Sequence, residues 1–122
     1  MKKYIVIPTS LDLVRIAPEK VVYIAADGHY STLMQMDNEV RMLSYQLGQI
    51  EKIIFSQLAD EGNVFIRVGK SLIINSSYIY YISIPKQKLV LSDAASFTHT
   101  VTASKEALKQ LKELLEKDIK KI

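Results

Sequence analysis

The sequence predicts a mostly-β domain closed by a C-terminal helix, and three observations predict it. Short runs rich in Val, Ile, Tyr and Thr recur along the chain with turn residues between them. The hydrophobic period becomes helical in the middle of the chain and again at its end. No repeat, low-complexity tract or linker divides the sequence, so residues 1–122 read as a single domain. With 48% hydrophobic residues, a chain of 122 can bury a core of its own.

Taken in order, residues 4–8 and 11–16 read as the first two strands, and Pro18-Glu19-Lys20 breaks the pattern. Residues 21–25 are apolar on both faces, which predicts a buried strand. Asp27-Gly28 is a turn signal, and Asp37-Asn38 joins strands 30–36 and 39–45 as a hairpin. The period then changes. Leu47, Ile50, Ile54 and Leu58 fall on one helical face with Gln49, Lys52 and Ser56 opposite, so residues 46–58 are predicted helical. Asp60-Glu61-Gly62-Asn63 ends that helix, and residues 64–68 return to strand. Ser71 is read as the cap of one short turn through Ile74 and Asn75. Strands follow at 79–84, 89–91 and 97–102, separated by turns at 85–88 and 93–96.

Residues 104–119 give the clearest helix, with Ser104 as N-cap. Leu108, Leu111, Leu115 and Ile119 line one face, with Leu114 beside them. Lys109, Lys112, Glu113, Glu116, Lys117 and Lys120 cover the other, where opposite charges three or four residues apart support a solvated surface.

Composition excludes several function classes. No stretch approaches 18 consecutive apolar residues, so no membrane-spanning helix is expected. Met1-Lys2-Lys3 resembles the start of a signal peptide. The apolar run behind it ends at Pro8, too soon for one, and no secretory signal is read. Cysteine is absent, which excludes disulfide scaffolds, thiol catalysis and thiolate-bound zinc, and fits a cytoplasmic location. Sixteen basic against 13 acidic residues leave a net charge of +3, too mild to identify a nucleic-acid binder by itself.

Catalytic signatures are missing as well. The chain has no G-x-G-x-x-G, P-loop, H-E-x-x-H or G-x-S-x-G. Its two histidines, His29 and His99, have no spacing that favours a metal site with Asp27 or Asp93, and no serine stands beside a recognisable base. The chain is therefore expected to be no enzyme and to carry no cofactor or metal. Tyr23, Tyr78, Tyr80 and Tyr81, in or beside strands, are expected to pack. Tyr30, directly after the Asp27-Gly28-His29 turn, is either half of a cross-strand pair or a contact to a base or phosphate.

The most specific stretch runs F-I-R-V-G-K-S-L-I-I-N, from Phe65 to Asn75. It resembles the central signature of the LytTR (LytR/AlgR-type) DNA-binding domains, matching at Phe65, Arg67, Val68, Lys70, Ser71, Ile74 and Asn75. Three further blocks agree in order. V-V-Y-I-A-A-D-G-H-Y-S-T-L resembles the family's strand–turn–strand, the middle helix lies where the family has one, and S-K-E-A-L-K-Q-L resembles the segment opening its last helix. The resemblance covers residues 10–115, nearly the whole chain. Gly69 stands where the family usually has histidine and Lys105 where it usually has arginine. Ala25 and Ala26 occupy a place where an acidic residue is common.

The resemblance implies an elongated arrangement of small β-sheets with a short middle helix and a C-terminal helix. It implies binding to double-stranded DNA by loops inserted into successive major grooves, commonly on promoter direct repeats, with a second copy on the same DNA. The readers it points to are Tyr30, Lys70 and Lys105, with His29, Arg67 and Ser71 beside them. Arg67, on the same face as Phe65 by alternation, either reaches phosphate or pairs with a carboxylate inside the fold. Many family members carry a phospho-receiver domain ahead of this module, as a response-regulator output domain. About 10 residues precede the resemblance here, so the chain reads as a stand-alone regulator or as a piece of a longer one. A sequence-specific transcriptional regulator is the first reading. A protein-interaction module on a degenerate LytTR scaffold is the alternative, motivated by Gly69 and the low net charge.

Overall fold

The computed structural model describes residues 3–58, 64–117 and 119. All ten strands described pair antiparallel, in three sheets. Strands β1 (Ile5–Pro8) and β2 (Leu13–Ile16) form a hairpin. A five-stranded sheet follows, built from β3 (Val21–Asp27), β4 (Tyr30–Gln35), β5 (Val40–Leu43), β6 (Phe65–Val68) and β7 (Leu72–Asn75) in the order β5-β4-β3-β7-β6. Strands β8 (Ile79–Ser83), β9 (Lys88–Ser92) and β10 (Thr98–Thr102) form the third sheet. Helix α1 (Leu47–Gln57) connects β5 towards β6, and α2 (Lys105–Glu116) comes last.

The five-stranded sheet is covered on both faces, which explains why β3 and β7 carry apolar residues on both of theirs. On one side Ile24, Leu33, Phe65 and Ile73 pack with Ile50 and Ile54 of α1 and with Ile5, Ile7 and Ile16 of the first hairpin. On the other side Val22, Val68, Leu72 and Ile74 pack with Leu108 and Leu111 of α2 and with Leu89 and Leu91 of the third sheet. The register shifts between Val21 and Tyr23, a bulge that puts Val22 and Tyr23 towards the same core before alternation resumes at Ile24.

Polar groups tie these layers together. The Gln57 side chain acts as a surrogate strand residue for the edge of β1. Its Oε1 accepts from the Val6 N–H at 2.8 Å and its Nε2 donates to the Val6 carbonyl at 2.7 Å. Asn75 is 1% exposed and fully bonded: Nδ2 donates to the Val21 and Pro18 carbonyls, and Oδ1 accepts from the Ser77 N–H. A buried amide survives only with such partners. Asn75 therefore stitches the end of β7 to the start of β3.

Most expected elements are present, with three corrections. Ser71 caps no turn through Ile74 and Asn75: residues 72–75 are strand β7, buried at every position. A short apolar run after a serine cannot be told from a helical turn by period, and pairing with both β3 and β6 settles it. Tyr80 and Tyr81 do not pack but stand 71% and 47% exposed, next to a register shift in β8. Tyr23 and Tyr78 do pack, partly buried against the second core. Ile119 lies past the end of α2 and is exposed, as is Leu114, so the buried face of that helix is Ala107, Leu108 and Leu111 with Leu115 half-covered. Ser104 caps as expected, its Oγ accepting from the Ala107 N–H at 3.1 Å. The expected stop at residues 60–63 lies outside the described residues.

Candidate nucleic-acid interface

Strands β3 and β7 lie side by side at the middle of the sheet, and the turns at their shared end carry the expected reader residues. Asp27 partners Tyr30, leaving the two-residue turn Gly28-His29, with Gly28 in the left-handed region at φ +64°. His29 forms the exposed tip. Tyr30 opens β4, half-exposed, with only Asp27 opposite. Its direct partner on β3, Asp27, is neither aromatic nor β-branched.

Across the β6–β7 hairpin, Val68 partners Leu72, leaving a three-residue turn of Gly69, Lys70 and Ser71, all exposed. Ala25 pairs with Leu72, and the Ala26 N–H donates to the Ser71 carbonyl at 2.8 Å. These contacts bring the His29-Tyr30 turn and the Lys70-Ser71 turn to the same end of the sheet.

The N-terminus of α2 arrives beside them. A cleft of about 390 Å³ separates it from the β6–β7 turn, lined by Gly69, Lys70 and Ser71 on one side and by Ser104, Glu106 and Gln110 on the other. Lys105 is the first residue of α2 and is exposed next to that cleft. A cation in the first helical turn is disfavoured by the helix dipole, so it serves an external anion better than it serves the helix. Gly69 explains its own identity. Its φ is +63°, and an added Cβ would lie 3.3 Å from the Ala107 Cβ, so a side chain there would meet both backbone strain and α2.

Arg67 is engaged inside the fold. Its Nη1 donates to Glu51 Oε1 at 2.8 Å, its Nε to the Gly69 carbonyl at 3.1 Å and its Nη2 to the Lys70 carbonyl at 3.0 Å. The sequence left a carboxylate partner open. Glu51 on α1 is the one used, and no local signal names it, because the pairing is tertiary. The two turns and the start of α2 therefore present His29, Tyr30, Lys70, Ser71 and Lys105 as exposed groups, with Arg67 behind them.

The other histidine is placed differently. His99 in β10 is stacked on Phe97 at 5.7 Å between ring centres, meets the Tyr23 ring edge-on at 6.0 Å, and its Nε2 bonds Asn38 Oδ1 at 3.0 Å. Among the described residues, no three His, Cys, Asp or Glu side chains are grouped to hold a metal ion.

Fold and site together define a mostly-β module that offers its exposed cationic, aromatic and hydroxyl groups on turns and at one helix start. The family model for the LytTr DNA-binding domain matches residues 12–116, and the chain belongs to that family, one of DNA-binding domains and not of enzymes. Among solved structures, the chain is similar to the LytTr DNA-binding domain of a protein described as a methyl-accepting/DNA response regulator from Bacillus cereus. The two share 20% identity and a TM-score of 0.61, over 94% of this chain and 98% of that one, which shows a common fold. No curated protein matches the chain. No helix among the described residues is long and apolar enough to cross a membrane.

Proposed function

We propose that the chain is a sequence-specific transcriptional regulator that reads the major groove of double-stranded DNA with its turn residues. The observation that carries this reading is the gathering of Tyr30, Lys70 and Lys105 at one end of the molecule, on three segments far apart in sequence. Lys70 projects from a tight turn, narrow enough for a groove about 12 Å wide, and can donate to guanine O6 and N7. Tyr30 and His29 reach an adjacent base or phosphate from the neighbouring turn. Lys105, with the backbone N–H groups of the first turn of α2, takes a phosphate or a base one groove segment away. Ser71 adds a hydroxyl beside Lys70. Two copies would occupy promoter direct repeats, in the cytoplasm where that DNA is found.

The test is a gel shift on the promoter regions nearest the chain's own gene, against excess non-specific DNA at two salt concentrations. A competitor-resistant complex is expected, weakened by about 1–3 kcal/mol in Lys70→Ala or Lys105→Ala if each contacts a base. Unchanged affinity in both variants contradicts the assignment of readers. No complex at either salt favours the protein-interaction reading instead.

A further inference from the structure

We infer that Arg67 is a positioning residue for DNA reading: with Glu51 as its anchor, it holds the turn that presents Lys70 and does not itself touch DNA. The inference rests on the reading of Lys70 as a DNA contact.

All three carbonyls of the turn accept a bond from outside it. Arg67 takes those of Gly69 and Lys70, and the Ala26 N–H takes that of Ser71. Two donors of one planar guanidinium thus grip two successive peptides on either side of the Lys70 backbone, and its remaining edge is fixed to α1 through Glu51. Only the fork of arginine can span this arrangement, because an ammonium is a point donor on a flexible stem. Gly69 supplies the left-handed φ, and Ala107 closes the space behind it. The backbone beneath Lys70 is therefore fixed before any ligand arrives, which lowers the ordering cost of a specific contact.

The ion pair has a second consequence. Arg67 and Glu51 side chains are each 29% exposed, within reach of solvent at the candidate interface. Glu51 neutralises a cation that would otherwise be available to any phosphate, regardless of sequence. The pair favours discrimination over raw affinity.

Affinity for a competitor-resistant promoter fragment and for a scrambled duplex of equal length tests this in wild type, Arg67→Lys, Arg67→Met, Glu51→Gln and Lys70→Ala, across a salt series. Both Arg67 variants are expected to lose roughly tenfold on the promoter fragment, an effect of the size of one lost base contact. Scrambled-duplex affinity and salt slope should stay the same in Arg67→Lys and in the charge-matched double variant Arg67→Met with Glu51→Gln, because neither leaves the Glu51 carboxylate unpaired. Glu51→Gln should bind the scrambled duplex more tightly with a steeper slope, because Arg67 is released to phosphate. The promoter-specific loss from Arg67→Met should vanish in a Lys70→Ala background.

A uniform loss on both duplexes in that double variant, with a slope shallower by about one, overturns the inference, because that is the signature of a phosphate contact. Equal losses from Arg67→Met with and without Lys70 also overturn it. If Lys70→Ala loses promoter specificity and the Arg67 variants do not, the inference fails and the reading of Lys70 stands. If Lys70→Ala binds as wild type, that reading fails and takes the inference with it. Arg67→Lys keeps the charge and the stem, so its loss separates the fork geometry from simple unfolding.

Discussion

The two turns at the reader end are built in opposite ways. The Gly28-His29 turn is held by its own hairpin: among the described residues no side-chain bond reaches it, and nothing lies within 4 Å of a Cβ built on Gly28. The Gly69-Lys70-Ser71 turn is held from outside, by Arg67, by the Ala26 N–H and by the approach of Ala107. The first can adapt to its ligand and the second arrives shaped. A contact from a fixed backbone loses less entropy on binding, so the β6–β7 turn is the better place for a base-specific donor. The β3–β4 turn suits a contact that tolerates variation.

Glycine substitutions break this comparison most directly. Both Gly28 and Gly69 have φ near +60°, so alanine strains the backbone at either position. Gly69→Ala also drives a methyl group against Ala107. It is expected to cost about 2–3 kcal/mol of folding stability, against about 1–2 for Gly28→Ala. Urea unfolding measures both. Equal costs would mean that α2 does not brace the turn, and an Ala107→Gly background should erase the difference if it does.

A third turn sharpens the comparison with a smaller effect. Between β9 and β10 the Asp93 carboxylate accepts from the Ser96 hydroxyl and from the N–H groups of Ala95, Ser96 and Phe97, so that turn is held by its own side chain. The Ser96 hydroxyl, then the Phe97 N–H, keeps the Asp93 carboxyl well below its ordinary value of 3.8. A depressed carboxylate stabilises the fold above the unfolded pKa, and that contribution fades as pH falls through the lower folded value. Stability should therefore drop on acidification below about 3.8. The Asp93→Asn variant should lack that part of the drop and bind DNA unchanged at neutral pH. Reduced binding by the variant would extend the interface to this turn.

The strands were legible where one period dominated. Val21 to Ala25 announced a central strand because apolar side chains on both faces need cover on both faces, and α1 and α2 provide it. Ser104 and the leucines behind it announced α2 for the same local reason. Residues 72–75 did not declare themselves: four buried positions in a row carry no period, and only their pairing with β3 and β6 defines them. Tyr80 and Tyr81 were misplaced because a register shift in β8 interrupts the alternation that would have assigned their faces.

The candidate site divides the same way. Lys70 and Lys105 could be named from the resemblance and from their places beside a turn and a helix cap. Glu51 could not, because it meets Arg67 only when α1 folds over β6. The reason for glycine at position 69 is likewise tertiary: Ala107 closes the space a side chain would need.

The most direct test of the central claim, that this end of the molecule reads DNA, is an NMR titration of the labelled chain with a competitor-resistant promoter duplex. Amide shifts should concentrate at residues 28–31, 69–71 and 104–107, with the β1–β2 and β8–β9 hairpins unmoved. Shifts concentrated on either of those hairpins, with the reader turns unchanged, would contradict it.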